Sequence, residues 1–304
     1  MQDPRSSGIL CAPFSDPSMR SLDSILVRSK PTLNLAEQVQ SLDSVLVRSR
    51  PTLNLAEQLL TSSRSLSGEE VRKFREDAMV VVEEFSRWPL GQPEEWTPKT
   101  IAFIHHSEDD LSGSIYWPGK VETYMDCNRH LRFLCLSLLT QCQVYVAAVW
   151  NTYRKARLLF LDSLIRCEPL ILSEHNKDEA LPLERLHSEV RDLATDIAAS
   201  VPFLLTGTSE KPLQIPHMAT AVAATPGKPL GGLLLLHPLA ATSMMSITPP
   251  DLRAYFKRCL AWIGDNMGIG QASLLAEVRQ FLQQIFDRSL TFNVFLSGPR
   301  KLAP

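Results

Sequence analysis

Residues able to do chemistry are scattered along this chain, and few sit at the spacing that a reaction needs. The densest group is Tyr153-Arg154-Lys155-Ala156-Arg157, three cations within five residues of an otherwise apolar run. Such an island could grip a phosphate or carboxylate. Taken alone, it is more often an exposed or salt-bridged helix face. Trp150 lies one turn earlier, so Trp150, Tyr153, Arg154 and Arg157 form a candidate contact set for a ligand or partner, with His237 as a further candidate. His237 sits in an uncharged stretch, which favours a hydrogen-bonded core histidine over a base or a metal ligand. His105-His106-Ser107-Glu108-Asp109-Asp110 offers nitrogen and oxygen donors, but its spacing fits no metal site, and a solvated acidic loop is the simpler reading. The six cysteines, Cys11, Cys127, Cys135, Cys142, Cys167 and Cys259, include no Cys-x-x-Cys pair. They read as reduced thiols of an intracellular protein, most of them acting as small buried hydrophobes.

Gly268-Ile269-Gly270-Gln271-Ala272-Ser273 faintly suggests a nucleotide-binding glycine loop. No strand precedes it and the last glycine is missing, so a helix-helix corner fits better. There is no Walker loop, nucleophile elbow or His-Glu-x-x-His pair. No catalytic, cofactor-binding or metal-ligating residue is assigned, and an enzyme is the less favoured class.

Length and composition set the frame for these groups. A chain of 304 residues with 44% hydrophobic side chains can build a sizeable core. A net charge of -2 and a pI near 6.4 provide no general field for nucleic acid or an anionic membrane. The N-terminus shows no basic segment followed by an apolar stretch, the pattern of a secretory signal.

The element expected to organise the fold is the run Pro229 to Pro250, which carries no formal charge. Its length approaches a membrane span. Its four prolines, His237 and hydroxyls point instead to a buried helix of a soluble protein, apolar on all sides. Gly231 and Gly232 should let a neighbouring backbone approach, and Pro238 should kink the helix.

Other elements follow from periodicity and capping signals. Residues 1–66 are expected to be a disordered leader. Within it, residues 21–40 and 41–60 form a tandem repeat, differing only at Ile25/Val45, Lys30/Arg50, Val39/Leu59 and Gln40/Leu60. Two copies are too few for a stacked array, so the repeat is expected to be peripheral, with Pro31 and Pro51 each separating two short helical turns. Order should begin at the capping box Ser67 to Glu70, ahead of the stripe Val71, Phe74, Ala78, Val81, Val82 and Phe85.

A proline-rich loop should run to Gly119, then a long helix through residues 144–167 that ends at Pro169. Leu183, Leu186, Val190, Leu193, Ile197 and Val201 mark another helix, bent or closed by Pro202. Thr248 to Asp251 has the form of a capping box with Pro249 at the first helical position, and Gly268 supplies a left-handed stop. The predicted architecture is all-α, an irregular multi-helix bundle around a central buried hydrophobic helix. Its helical domain spans 67–292 and a short tail spans 293–304.

Four segments in succession carry a resemblance. VWNTYRKARLLFLDSLI at 149–165, DIAASVPFLL at 196–205, GGLLLLHPLAATS at 231–243 and WIGDNMGIGQASLLAE at 262–277 resemble the C-terminal regulatory region of fungal binuclear zinc-cluster transcription factors. The resemblance covers about Ser67 to Phe286. It implies an all-helical regulatory domain in the nucleus that does not itself touch DNA. Such a domain modulates RNA polymerase II transcription, with secondary metabolism as one field of action, through other regulatory proteins, a small ligand or homodimerisation. In that family, zinc and DNA belong to two Cys-x2-Cys-x6-Cys halves followed by a basic linker. Cys135 and Cys142 have the six-residue gap but no partner pairs, so no zinc cofactor and no direct DNA contact are expected of this chain. The alternative is a helical enzyme or interaction protein of fungal secondary metabolism.

Overall fold

The computed structural model describes residues 22–61, 67–104, 115–124, 136–174, 183–206 and 229–277. Seven helices account for most of them: α1 (Leu22–Thr61), α2 (Gly68–Arg87), α3 (Leu136–Glu174), α4 (Leu183–Thr206), α5 (Pro229–Met244), α6 (Pro250–Met267) and α7 (Gly270–Glu277). The all-α architecture holds, apart from one small hairpin. Its strands β1 (Lys99–Ile104) and β2 (Gly119–Thr123) pair antiparallel between α2 and α3 in the chain. This hairpin falls where a proline-rich loop was expected. Only Ala102 and Ile104 of β1 are even partly buried, so the strand has almost no apolar alternation for a sequence reading to find.

One continuous buried core includes residues of α3. That helix meets α1, α2, α4 and α5, and α5 in turn packs on α6 and α7. The uncharged run does form a buried helix: Leu235, Leu236, Leu239, Ala240 and Ala241 are all in the core. It is not buried all round, because Leu233 is 52% exposed. Gly231 and Gly232 act as expected. A Cβ at Gly231 would lie 1.9 Å from the Leu204 carbonyl oxygen, and one at Gly232 would lie 2.5 Å from Met267 Sδ. Their missing side chains are what bring α5 against α4 and α6.

The Ser67 capping box is present in both directions: Glu70 N–H donates to Ser67 Oγ at 3.3 Å, and Ser67 N–H donates to Glu70 Oε2 at 3.0 Å. Behind it, Val71, Phe74, Ala78, Val81 and Phe85 are buried. Gly268 closes α6 at φ 69. The second capping box does not form: Pro249 is the N-cap, Pro250 opens α6, and there is no side-chain cap bond from Thr248. With two consecutive prolines neither N–H is available, and the chain places the second at the helix start.

Prolines terminate less than their chemistry suggests. Pro169 lies inside α3, Pro202 inside α4, and Pro31 and Pro51 inside α1. Pro51 is exposed, so the carbonyl that it frees one turn earlier can be hydrated.

The largest correction concerns the repeat. Residues 1–21 lie outside the described residues, but the second copy is neither disordered nor peripheral. Leu42, Val45, Ser49, Thr52 and Ala56 are buried at a spacing of three and four, and α1 packs against both α2 and α3. Ser49 is fully buried without penalty because its hydroxyl donates to the Leu46 carbonyl at 2.9 Å. The acidic histidine segment 105–110, the loop 207–228 and the tail 293–304 lie outside the described residues, as do Cys11, Cys127 and Cys135.

Candidate functional site

The cationic island occupies the middle of α3, and the fold uses its charges internally. Arg154 is 2% exposed. Its Nη2 donates to Glu122 Oε2 at 2.8 Å, and its Nη1 donates to the Tyr124 hydroxyl at 2.7 Å and to the Asp196 carbonyl at 3.0 Å. The Tyr124 hydroxyl in turn donates to Glu122 Oε2 at 2.7 Å. Lys120 closes the group, with Nζ 3.1 Å from Glu122 Oε1 and 2.7 Å from Asp196 Oδ1. One ionic cluster therefore joins β2, α3 and α4. Burial alone would raise the Glu122 carboxyl, but Arg154 and then Lys120 outweigh it and hold the group below the usual carboxylate range.

Arg157 is spent in a similar way. It pairs with Glu189 of α4 through Nε, while Nη1 donates to the Tyr153 hydroxyl at 2.6 Å and Nη2 donates to Ser86 Oγ of α2 at 2.9 Å. Trp150 and Tyr153 belong to an aromatic cluster at the α2–α3 junction. Tyr153 stacks on Trp88 with ring centroids 4.9 Å apart, and Trp150 meets Trp88 edge-on at 5.3 Å. The Trp150 indole donates to the Trp96 carbonyl at 2.8 Å, tying the segment after α2 to α3.

Lys155 and His237 behave differently. Lys155 is buried between α3 and α5, and its Nζ stands 3.5 Å from His237 Nδ1. Burial pushes the lysine down to about 8, and no carboxylate opposes the shift. Burial, then the charge of Lys155, lowers His237 to about 4, so at neutral pH it is an uncharged acceptor for the ammonium. The structure thus joins Trp150, Tyr153, Arg154 and Arg157 in adjoining networks on one helix and places His237 apart from them, beside Lys155. Lys155 carried no separate signal in the sequence beyond membership of the island.

The thiols of Cys167 and Cys259 are poor nucleophiles and poor metal ligands. Burial pushes Cys167 up to about 11 and Cys259 up to about 12, and each is a free, buried side chain. Among the described residues no cluster of histidine, cysteine and carboxylate could hold a metal ion, and no helix is long and apolar enough to cross a membrane.

One open cleft of about 290 Å³ lies between α1 and the end of α2. Ser41, Val45 and Arg48 of α1 form one wall, and Glu84, Trp88 and Gln92 form the other. Arg48 and Glu84 meet across it at 3.2 Å. The Trp88 indole N–H and the Gln92 amide oxygen are buried beneath that wall without a hydrogen-bond partner. The sequence reading missed this cleft because it requires α1 to be packed in place.

No family model matches the chain, and no solved structure matches it. Transcription factor dbaG of Emericella nidulans is 34% identical over 219 residues, which is 72% of this chain and 46% of that protein. The chain therefore spans about half the length of the curated relative that it matches. Through most of its own length, including a stretch too long to miss all of the helical core, the chain is similar to a fungal transcription factor.

Proposed function

We propose that this chain is a regulatory domain of a fungal transcription factor, acting in the nucleus on RNA polymerase II transcription, with genes of secondary metabolism as its field. The observation that carries this reading is the 34% identity to transcription factor dbaG across 219 residues. The domain works through other regulatory proteins or a small ligand, and it reaches DNA through a partner or a separate DNA-binding segment. A zinc cluster is no part of its working surface. The charge pattern supports the division of labour, because Arg154 and Arg157 are already committed to Glu122 and Glu189 and do not offer a phosphate-binding face. The open cleft between α1 and the end of α2 is the place for a small ligand, with Arg48 and Glu84 as the charged groups beside it.

The test is a fusion of the full chain to an unrelated sequence-specific DNA-binding domain, measured on a reporter in a fungal host. A reporter raised or lowered relative to the DNA-binding domain alone supports a regulatory role, and an unchanged reporter at equal fusion abundance overturns it. Purified chain should show no sequence-specific complex with duplex DNA at physiological salt.

A further inference from the structure

We infer that the groove formed by α2 and α3 receives either copy of the tandem repeat, so that residues 21–40 can take the place of residues 41–60 within the same molecule. In the structure the second copy fills the groove through Leu42, Val45, Ser49, Thr52 and Ala56. Their counterparts twenty residues earlier are Leu22, Ile25, Ser29, Thr32 and Ala36, a set that differs only by one methylene, Ile25 for Val45. Arg48, which pairs with Glu84 at the groove rim, has its counterpart in Arg28. The Lys30/Arg50 difference falls at a position that is exposed in the second copy. The five buried positions and the rim arginine are therefore written twice, while Val39, which also packs against the core, has Met19 as its counterpart.

Both copies cannot use the groove together. At 3.6 residues per turn, twenty residues carry the chain about 200° beyond whole turns and about 30 Å along the axis. Because α1 is continuous from Leu22 to Thr61, equivalent positions of the two copies are separated by that rotation and that rise and cannot enter one groove together. The first copy is a second ligand for a site that is already filled.

Exchange lengthens the connection to α2. From Ala56 to Val71 is 15 residues, and from Ala36 to Val71 is 35. With a closure probability falling as the three-halves power of length, the first copy is disfavoured by roughly fourfold. That ratio makes it a minor occupant while the second copy is intact and the main occupant once the second copy is spoiled. A tethered helix acts at an effective concentration near the millimolar range, so exchange within one molecule outcompetes a second molecule at micromolar concentration.

The experiment uses the full chain in three altered forms: Leu42→Asp with Val45→Asp, Leu22→Asp with Ile25→Asp, and all four together. Urea unfolding of the first should show a folding equilibrium constant only about fourfold below the original, and the second should match the original. The fourfold form should lose a hundredfold or more, or fail to fold. Equal loss in the first and fourfold forms would overturn the inference, as would a loss in the second alone or no loss in any form. A direct readout adds Arg28→Cys and Glu84→Cys to the first form. Mild oxidation should then link these two positions within one molecule, mapped by peptide mass. Absence of that link, or its formation only between two molecules, would refute exchange in place.

Discussion

Replacing Lys155 by methionine should make the protein more stable, even though it removes a hydrogen bond. The lysine is buried with an imidazole as its polar partner and its ammonium is driven from the ordinary 10.5 to about 8. At about 1.36 kcal/mol per pH unit, that depression corresponds to about 3 kcal/mol of unfavourable burial at pH 7. Losing the bond to His237 returns about 1 kcal/mol of that. Methionine fills a similar volume without charge, so Lys155→Met should gain about 2 kcal/mol, equivalent to a rise of roughly 4 to 8 °C in Tm for a domain of this size. Urea unfolding over a pH series supplies the assay. Between pH 8 and 10.5 the unfolded lysine keeps its proton while the folded one gives it up, so the original protein gains stability with rising pH in that window and the advantage of methionine shrinks. A Lys155→Met protein that is less stable at pH 7, or an advantage that persists unchanged at pH 10.5, would show that the ammonium is satisfied and the reasoning is wrong.

Glu122→Gln should cost about 3 kcal/mol in urea unfolding, because it leaves the Arg154 guanidinium buried without its 2.8 Å carboxylate. Gly231→Ala should destabilise strongly or abolish soluble expression, since its Cβ would meet the Leu204 carbonyl oxygen at 1.9 Å, whereas Gly91→Ala, with open space around it, should be close to neutral by thermal melting. Leu235→Ala should cost about 2 to 5 kcal/mol and Leu233→Ala under about 1, since the first is fully buried and the second is half exposed. On acidification, stability should fall between pH 6.5 and 4, where the unfolded His237 takes up a proton that the folded one refuses; His237→Gln should flatten that part of the profile.

The parts of the fold that could be read from sequence are those fixed by neighbours in the chain. Ser67 and Glu70 cap because they are three apart, Gly268 stops a helix by its own backbone, and Gly231-Gly232 ahead of four leucines announces a close approach. Contacts between distant residues were hidden. Arg154 finds Glu122 at a separation of 32 and the Asp196 carbonyl at 42, so nothing local told a saturated guanidinium from a free one. The groove-facing stripe of α1 was masked for a second reason: two of its five residues are Ser49 and Thr52, which no count of apolar periodicity would include. Proline misled in the same stretch, because a penalty of about 3 kcal/mol is smaller than what burying a whole helical face contributes. Trp150, Tyr153, Arg154 and Arg157 do share one helix, as their spacing implies, while their enclosure by α2, β2 and α4 was not foreseeable.

The aromatic junction has a consequence for spectroscopy. Two indoles with centroids 5.3 Å apart and planes inclined at 71°, with a phenol stacked on one of them, hold their electronic transitions in a fixed chiral arrangement. Coupled chromophores of this kind give circular dichroism in the near ultraviolet, and Trp88 and Trp150 come from the two sides of the α2–α3 contact. The protein therefore contains its own optical gauge of side-chain order. A variant that keeps its far-ultraviolet helical spectrum but loses the indole couplet has collapsed without packing, and one that keeps both has retained the native junction.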